Sequence, residues 1–430
     1  MNTTQNKTQY KNSPLGLIPE DWEVRQLNQI GVNVIDGDRG KNYPNENDFF
    51  KSEYCMFLNA KNVTKQGFSF LDTNFITKEK DDELRKGKLI LNDIVLTTRG
   101  TVGNISFFDT SIKYKHLRIN SGMVLIRNTK NELIENIFLY KCFTSFLLQQ
   151  QIDLVSFGSA QPQLTVKEIN KFKLPIPPLP EQTAIANCLS TWDKAIAAQT
   201  QLIAQKELRK KALMQQLLSG KKRLKGFSEE WKEVRLGDLG DTYNGLTGKS
   251  KEDFGIGFPF ITYMNIFSNS RIDVEKVDFV KIDEKENQNK TKYGDIFFTV
   301  SSETPNEVGM TSVLLNEVDN LYLNSFCFGF RLFDFKTLKP EFAMFLLRSD
   351  DFRKEITILA QGSTRFNLSK TGVKKILLSL PSIEEQTAIA NILQCADAEI
   401  QLLKKKLQQL QDQKKGVMQV LLTGKKRLKI

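Results

Sequence analysis

The chain has 430 residues, enough for two or three ordinary domains that each bury their own core. A composition of 40% hydrophobic and 26% charged residues excludes a fibrous, collagen-like or disordered chain, and the absence of a membrane-length apolar run or of a signal-peptide core in residues 1–11 argues for a cytosolic protein. The net charge of +11 favours a polyanionic partner, and nucleic acid over membrane, because no basic amphipathic segment carries a strong Trp/Leu/Phe face.

Residues 14–157 alternate strand-like runs with turns. Ile94-Val95-Leu96-Thr97-Thr98 and Gly122-Met123-Val124-Leu125-Ile126-Arg127 read as strands, and residues 132–151 read as a helix with apolar residues at steps of three and four. A second and longer helix is expected from Pro180-Glu181 onward. Its apolar positions run Ile185, Leu189, Trp192, Ile196, then Gln199 and Ile203, and later Leu213 and Leu217. Steps of 4, 3, 4, 3, 4 keep a period of 3.5, the pattern of a coiled-coil seam. Gly220 stands where a left-handed C-terminal stop belongs.

Residues 227–361 repeat the strand-and-turn pattern, with strands at Ile296-Phe297-Phe298-Thr299-Val300 and residues 326–332 and a helix at 339–356. Ser382-Ile383-Glu384-Glu385 then reads as a capping box opening a second long helix, with Ile389, Leu393, Ala396, Ile400, Leu403, Leu407 and Leu410 along its seam and Gly424 as its stop. The two halves are related. Glu181-Gln182-Thr183-Ala184-Ile185-Ala186-Asn187 returns unchanged at Glu385, and Gly220-Lys221-Lys222-Arg223-Leu224-Lys225 returns at Gly424, both 204 residues later. Residues 181–225 share 23 of 45 identities with 385–429. Upstream the match thins to framework positions, such as Asn120-Ser121 and Arg127 against Asn324-Ser325 and Arg331, while the loops differ. The fold class is therefore α+β: two mixed, mostly antiparallel α/β units separated by two long helices in an internal repeat. The helices either pair with each other, parallel or antiparallel, or pack separately on their own units. Loops carry binding residues, so like scaffolds with unlike loops point to two different targets.

Catalytic signatures fail. Gly245-Leu246-Thr247-Gly248-Lys249-Ser250 ends like a phosphate-binding loop but has Tyr243 at the required first glycine, and no Gly-x-Ser-x-Gly or His-Glu-x-x-His occurs. The Asn/Asp-Pro-Pro-Tyr/Phe pattern of amino-methyltransferases is also missing. His116, the single histidine, reads as a surface or core residue. The five cysteines, Cys55, Cys142, Cys188, Cys327 and Cys395, lack paired spacing and read as reduced thiols, with no metal site.

Three local features and one global one resemble the specificity subunits of type I restriction-modification systems. They are Pro177-Pro178-Leu179-Pro180-Glu181-Gln182 opening a long helix, the Gly158 to Leu164 lead-in, the run from Asp93 to Gly103, and the globular–helix–globular–helix order of the whole chain. The second copy departs from this pattern, with Pro381-Ser382-Ile383-Glu384 in place of the double proline and Thr299-Val300-Ser301-Ser302-Glu303 in place of Thr98-Arg99-Gly100. The resemblance implies target recognition domains at 1–157 and 226–361, spacer and long-helix regions at 158–225 and 362–430, and an antiparallel coiled coil with a pseudo-twofold repeat. It implies a non-catalytic subunit that reads a bipartite asymmetric site in double-stranded DNA. Two methyltransferase (modification) subunits would dock on it and restriction subunits would join through the complex. The chain itself would bind no cofactor: S-adenosylmethionine would belong to the modification subunits, and ATP and Mg to the restriction subunits.

By chemistry and position, the candidate DNA contacts are Thr98, Arg99, Thr101 and Asn104, with Ser159, Gln161 and Gln163, in the first copy. In the second they are Ser301, Ser302, Ser363, Thr364, Arg365 and Asn367. The Lys221-Lys222-Arg223 and Lys425-Lys426-Arg427 triplets could equally touch phosphate, touch a partner or complement the helix dipole. A reading of another class is an assembly scaffold whose globular units bind proteins.

Overall fold

The computed structural model describes residues 9–156 and 163–428. The chain divides into two compact units, one of residues 1–198 with 407–430 and the other of residues 199–406. Each unit therefore holds one globular domain, the first half of one long helix and the second half of the other.

In the first unit, a four-stranded antiparallel sheet runs in the order Ile105–Phe107, Ile94–Thr97, Met123–Asn128, Val32–Asp36. The two central strands are apolar on both faces. Ile94, Leu96, Val124 and Ile126 face a core shared with the helices, while Val95, Met123 and Leu125 face a second core. Successive side chains of a strand point to opposite faces, so both sides must be covered. The second core lies under a small sheet of Leu117–Ile119, Cys55–Leu58 and Phe75–Ile76, whose first two strands pair parallel. Asp93 anchors this framework: its buried carboxylate receives Arg127 Nε at 2.8 Å and Nη2 at 2.7 Å.

The second unit repeats the plan. Its main sheet runs Thr311–Val313, Ile296–Thr299, Cys327–Leu332, Gly240–Asn244, and its small sheet joins Tyr322–Leu323, Phe254–Ile261 and Asp278–Val280. Arg331 grips Asp295 at 2.8 and 2.6 Å, which explains why Arg127 and Arg331 stand out in the sequence comparison. Phe298 and Phe328 stack across the central strands, with centroids 5.0 Å apart.

The helix expected at 132–151 is two helices, Asn136–Phe143 and Phe146–Ser156, and the one at 339–356 is Pro340–Leu346 and Asp350–Ile358. Serine makes both breaks. Ser145 Oγ takes the Leu147 N–H, and Ser349 caps the following helix by accepting the Phe352 N–H.

The long helices span Leu179–Leu217 and Ile383–Leu422. In each unit the two helix halves pair antiparallel. In the second unit Lys206 meets Glu399 and Lys210 meets Asp397, both at 2.5 Å, and buried Gln199 donates to the Leu403 carbonyl at 3.0 Å. In the first, Asp193 meets Lys414 at 2.5 Å, the same pair as Asp397 and Lys210 with the helices exchanged. Ile185, Leu189, Ile203, Ile389, Leu393 and Ile400 are buried on this seam, and Trp192, Ile196, Leu403, Leu407 and Leu410 are half-buried. Gly220 and Gly424, with φ of 69° and 67°, turn the chain just past the helix ends, where Lys222 and Lys426 N–H bond back to the Gln216 and Val420 carbonyls.

The repeated sequence blocks form two clasps. Gln182, fully buried, accepts the Glu135 N–H and donates to the Leu133 and Pro177 carbonyls. Gln386 does the same with Lys339, Thr337 and Pro381. Next to each glutamine a buried glutamate takes an arginine of the basic triplet and a tryptophan indole. Glu181 binds Arg427 and Trp22, and Glu385 binds Arg223 and Trp231. The capping box expected at Ser382 is therefore half made. Ser382 Oγ accepts the Glu385 N–H at 3.3 Å, but the Glu385 carboxylate is committed to Arg223. Among the described residues, no helix is long and apolar enough to cross a membrane.

Candidate nucleic-acid interface

The expected contact residues gather past the C-terminal end of a central strand of each main sheet. In the first unit the strand Ile94–Thr97 runs out at Thr98. Its N–H donates to the Gly122 carbonyl at 2.8 Å and its own carbonyl accepts the Leu164 N–H at 3.1 Å. These bonds bring residues 98–104, 120–122 and 163–164 together as a lip. Arg99 then faces Gln163 in an antiparallel bridge, and Gly100 turns the chain with φ of 73°. Arg99 is half-buried and Gln163 and Thr101 are exposed. Asn104 donates to the Val63 carbonyl at 2.9 Å, which points its amide at the neighbouring Val63–Thr64 strand.

The second unit builds the same lip. Val300 N–H donates to the Phe326 carbonyl at 3.1 Å, and the Val300 carbonyl accepts the Leu368 N–H at 2.8 Å. Ser301-Ser302 pairs antiparallel with Phe366–Asn367. Residues 361–367 close on themselves through two backbone bonds between Gln361 and Asn367, of 3.0 and 2.8 Å. Gly362 is required at this turn: its φ is 135°, and a Cβ there would come within 2.1 Å of the Arg365 carbonyl oxygen. Ser363, Thr364, Arg365 and Asn367 are exposed on it. The shared bonds make Thr98 equivalent to Val300, Arg99 to Ser301, Gly122 to Phe326 and Gln163 to Asn367.

Burial removes three candidates from the freely presented set. Thr98 is 2% exposed and its hydroxyl donates to the Gly122 carbonyl at 3.0 Å; Ser301 and Ser302 are 9% and 7% exposed, and the Ser302 hydroxyl donates to the Thr304 carbonyl at 2.8 Å. All three serve the framework of the lip. Ser159 and Gln161 lie outside the described residues. The sequence did not single out Arg39, whose Nη2 donates to the Ser121 carbonyl at 3.2 Å and so places a cation beside the first lip, nor Phe326 on the second.

The other features set aside in the sequence have structural roles. In each basic triplet the arginine turns inward to its glutamate and the two lysines are exposed. Lys249 pairs with Glu286 at 2.5 Å, and that ammonium, with Gln288 and the Asp283 N–H, holds the Glu286 carboxyl at about 2. His116 stacks on Tyr54, with centroids 4.2 Å apart. Burial pushes the Cys55 and Cys327 thiols up to about 12, so neither is a nucleophile.

The family model described as the type I restriction modification DNA specificity domain matches the chain twice, over residues 19–207 and 228–412. The chain belongs to this family. It is the DNA-sequence-specificity subunit of a type I restriction-modification complex and is itself non-catalytic. This specificity subunit is 27% identical over 430 residues to the type I restriction enzyme MjaVIII specificity subunit of Methanocaldococcus jannaschii, an alignment covering 96% of this chain and 94% of the relative. It is 24% identical over 392 residues to the EcoKI specificity subunit of Escherichia coli K12, covering 87% and 82% of the two chains. The crystal structure of a type I restriction-modification S subunit from M. genitalium shares the fold, with a TM-score of 0.54 at 17% identity over 93% of this chain and 96% of that one.

Proposed function

We propose that the subunit reads a bipartite, asymmetric site in double-stranded DNA, with residues 1–157, together with Gln163, addressing one half and residues 226–361, together with the turn at 361–367, addressing the other. One observation carries the reading: two lips with the same backbone bonds present unlike side chains, Arg99 and Gln163 on one, and Asn367 and Arg365 on the other. Arg and Gln or Asn are the side chains able to make bidentate bonds to guanine and adenine edges, so exchanging them on a fixed frame changes the sequence read. Thr101, Asn104, Ser363 and Thr364 complete the proposed contact set. Arg39 and the exposed lysines supply phosphate affinity that carries no sequence information.

The regions 158–225 and 362–430, with their long helices, space the readers and dock two modification subunits, through which restriction subunits join. Exposed apolar side chains on these helices, Leu208 at 69% and Leu402 at 68%, are suited to a protein partner. Reading chromosomal DNA in this way implies action in the cytoplasm.

Fluorescence anisotropy of the complex reconstituted with its modification subunits tests the proposal. Binding to the duplex that the complex methylates should exceed binding to a scrambled duplex by at least 10³-fold, on the order of the usual specific-to-non-specific ratio. Equal affinity for both would refute it.

A further inference from the structure

The second lip exposes an aromatic ring where the first, among the described residues, has Gly122. Phe326 is 62% exposed, belongs to no hydrophobic cluster of its unit, and among the described residues no ring or cation stacks on it. Its backbone is nevertheless fixed: the N–H donates to Asn324 Oδ1 at 2.8 Å and the carbonyl accepts the Val300 N–H at 3.1 Å. The equivalent residue, Gly122, is held identically, with its N–H on Asn120 Oδ1 at 2.9 Å and its carbonyl accepting the Thr98 N–H at 2.8 Å.

The fold does not dictate the choice at this position. Gly122 lies outside the left-handed region, and the atom nearest a Cβ there would be Asn120 Oδ1 at 3.3 Å, the counterpart of the Asn324 oxygen that accepts the Phe326 N–H. Packing does not require Phe326 either, because its ring faces water. A phenylalanine side chain left largely in water forgoes the stabilisation that burial would give it. A ring kept there, next to the Ser301–Asn367 pair, is suited to a target that covers it. Thymine is the base with an apolar group, its 5-methyl, on the major-groove edge.

We propose that Phe326 is a specificity-determining residue that reads a thymine 5-methyl group in the half-site addressed by the second unit. The assignment rests on the two-lip reading above. Replacing thymine by deoxyuridine removes only the methyl group and leaves pairing and hydrogen bonds intact, so it isolates this contact. Each thymine of the methylated site, on either strand, is replaced in turn and the affinity of the reconstituted complex measured for wild type, Phe326→Gly and Phe326→Leu.

The expected result is one thymine whose replacement weakens wild-type binding on the order of tenfold, the low end of a good base contact. Phe326→Gly loses that sensitivity, and Phe326→Leu, still apolar, keeps part of it. If no replacement weakens wild-type binding, or the glycine variant stays as sensitive as wild type, the assignment is overturned. If Phe326→Gly fails to assemble, Phe326→Leu carries the test: sensitivity equal to wild type in that variant overturns the assignment. Loss of preference for the methylated site as a whole, in the wild type, would instead overturn the two-lip reading.

Discussion

Arg427 closes on Glu181 from 246 residues away in sequence: its Nη2 lies 2.6 Å from Oε2, while Nη1 and Nη2 each reach Asp21 at 2.9 Å. Glu181 is 1% exposed and also receives the Trp22 indole N–H at 3.0 Å. The equivalent clasp in the second unit joins Arg223, Glu385 and Trp231. These are the residues that make the repeated blocks conspicuous, and their role is to lock the end of one helix to the start of the other.

Removing the cation leaves a buried carboxylate without its charge partner, one of the more damaging single changes available to a fold. Arg427→Ala should lower stability by about 3 kcal/mol, and Lys426→Ala, an exposed neighbour, should change it by less than about 0.5 kcal/mol. Urea unfolding followed by tryptophan fluorescence measures both. A double variant, Arg427→Ala with Glu181→Gln, should regain part of the loss, because the stranded charge is then gone.

A second prediction concerns acid. Asp193 lies between Lys141 and Lys414, each at 2.5 Å. Burial pushes its carboxyl up, but the two ammonium groups that bond it outweigh burial and hold it below the usual aspartate range. A depressed folded-state pKa contributes stability that is fully present above the unfolded value, about 4, and is lost as pH falls through the folded value. The stability difference between wild type and Asp193→Asn should therefore be constant above about pH 5 and shrink steadily below about pH 4. Melting temperatures of both proteins between pH 3 and 7, an interval spanning roughly the aspartate range, check this.

The lips make a third prediction. Arg99→Ala and Gln163→Ala should each relax one position in the first half-site, with discrimination falling by about 1–3 kcal/mol, and leave the second half-site intact. Asn367→Ala should do the reverse. Affinities of each variant complex for a panel of single-base-changed duplexes measure the effect. A contribution to phosphate binding alone would instead weaken all duplexes alike and flatten the salt dependence.

Much of the architecture is legible in the sequence because periodic burial writes it there. The 3.5-residue seam through Ile185, Leu189, Ile389 and Leu393 marks the long helices, and the apolar run Ile94-Val95-Leu96 marks a strand covered on both faces. The break at Ser145 is hidden because Phe138, Cys142, Phe143, Leu147, Leu148 and Ile152 keep helical spacing straight through it. The clasps are hidden for another reason: an ion pair spanning 246 residues leaves no local signal, and only the joint repetition of the Glu-Gln and Lys-Lys-Arg blocks hints that they belong together. At the lips, chemistry alone selects Thr98, Ser301 and Ser302 beside Arg99, Gln163 and Asn367, and burial separates the two groups. Phe326 escapes notice because Phe326-Cys327-Phe328 reads as an ordinary strand entry, although Phe328 is buried and Phe326 is not.

The central claim is that each lip reads its own half of one DNA site. The most direct measurement is the genome-wide methylation motif in cells that carry the modification subunits with either this chain or a chimaera whose residues 1–157 come from another specificity subunit. The account predicts that one half of the motif changes while the other half stays as it was. A change in both halves, or in neither, would contradict it.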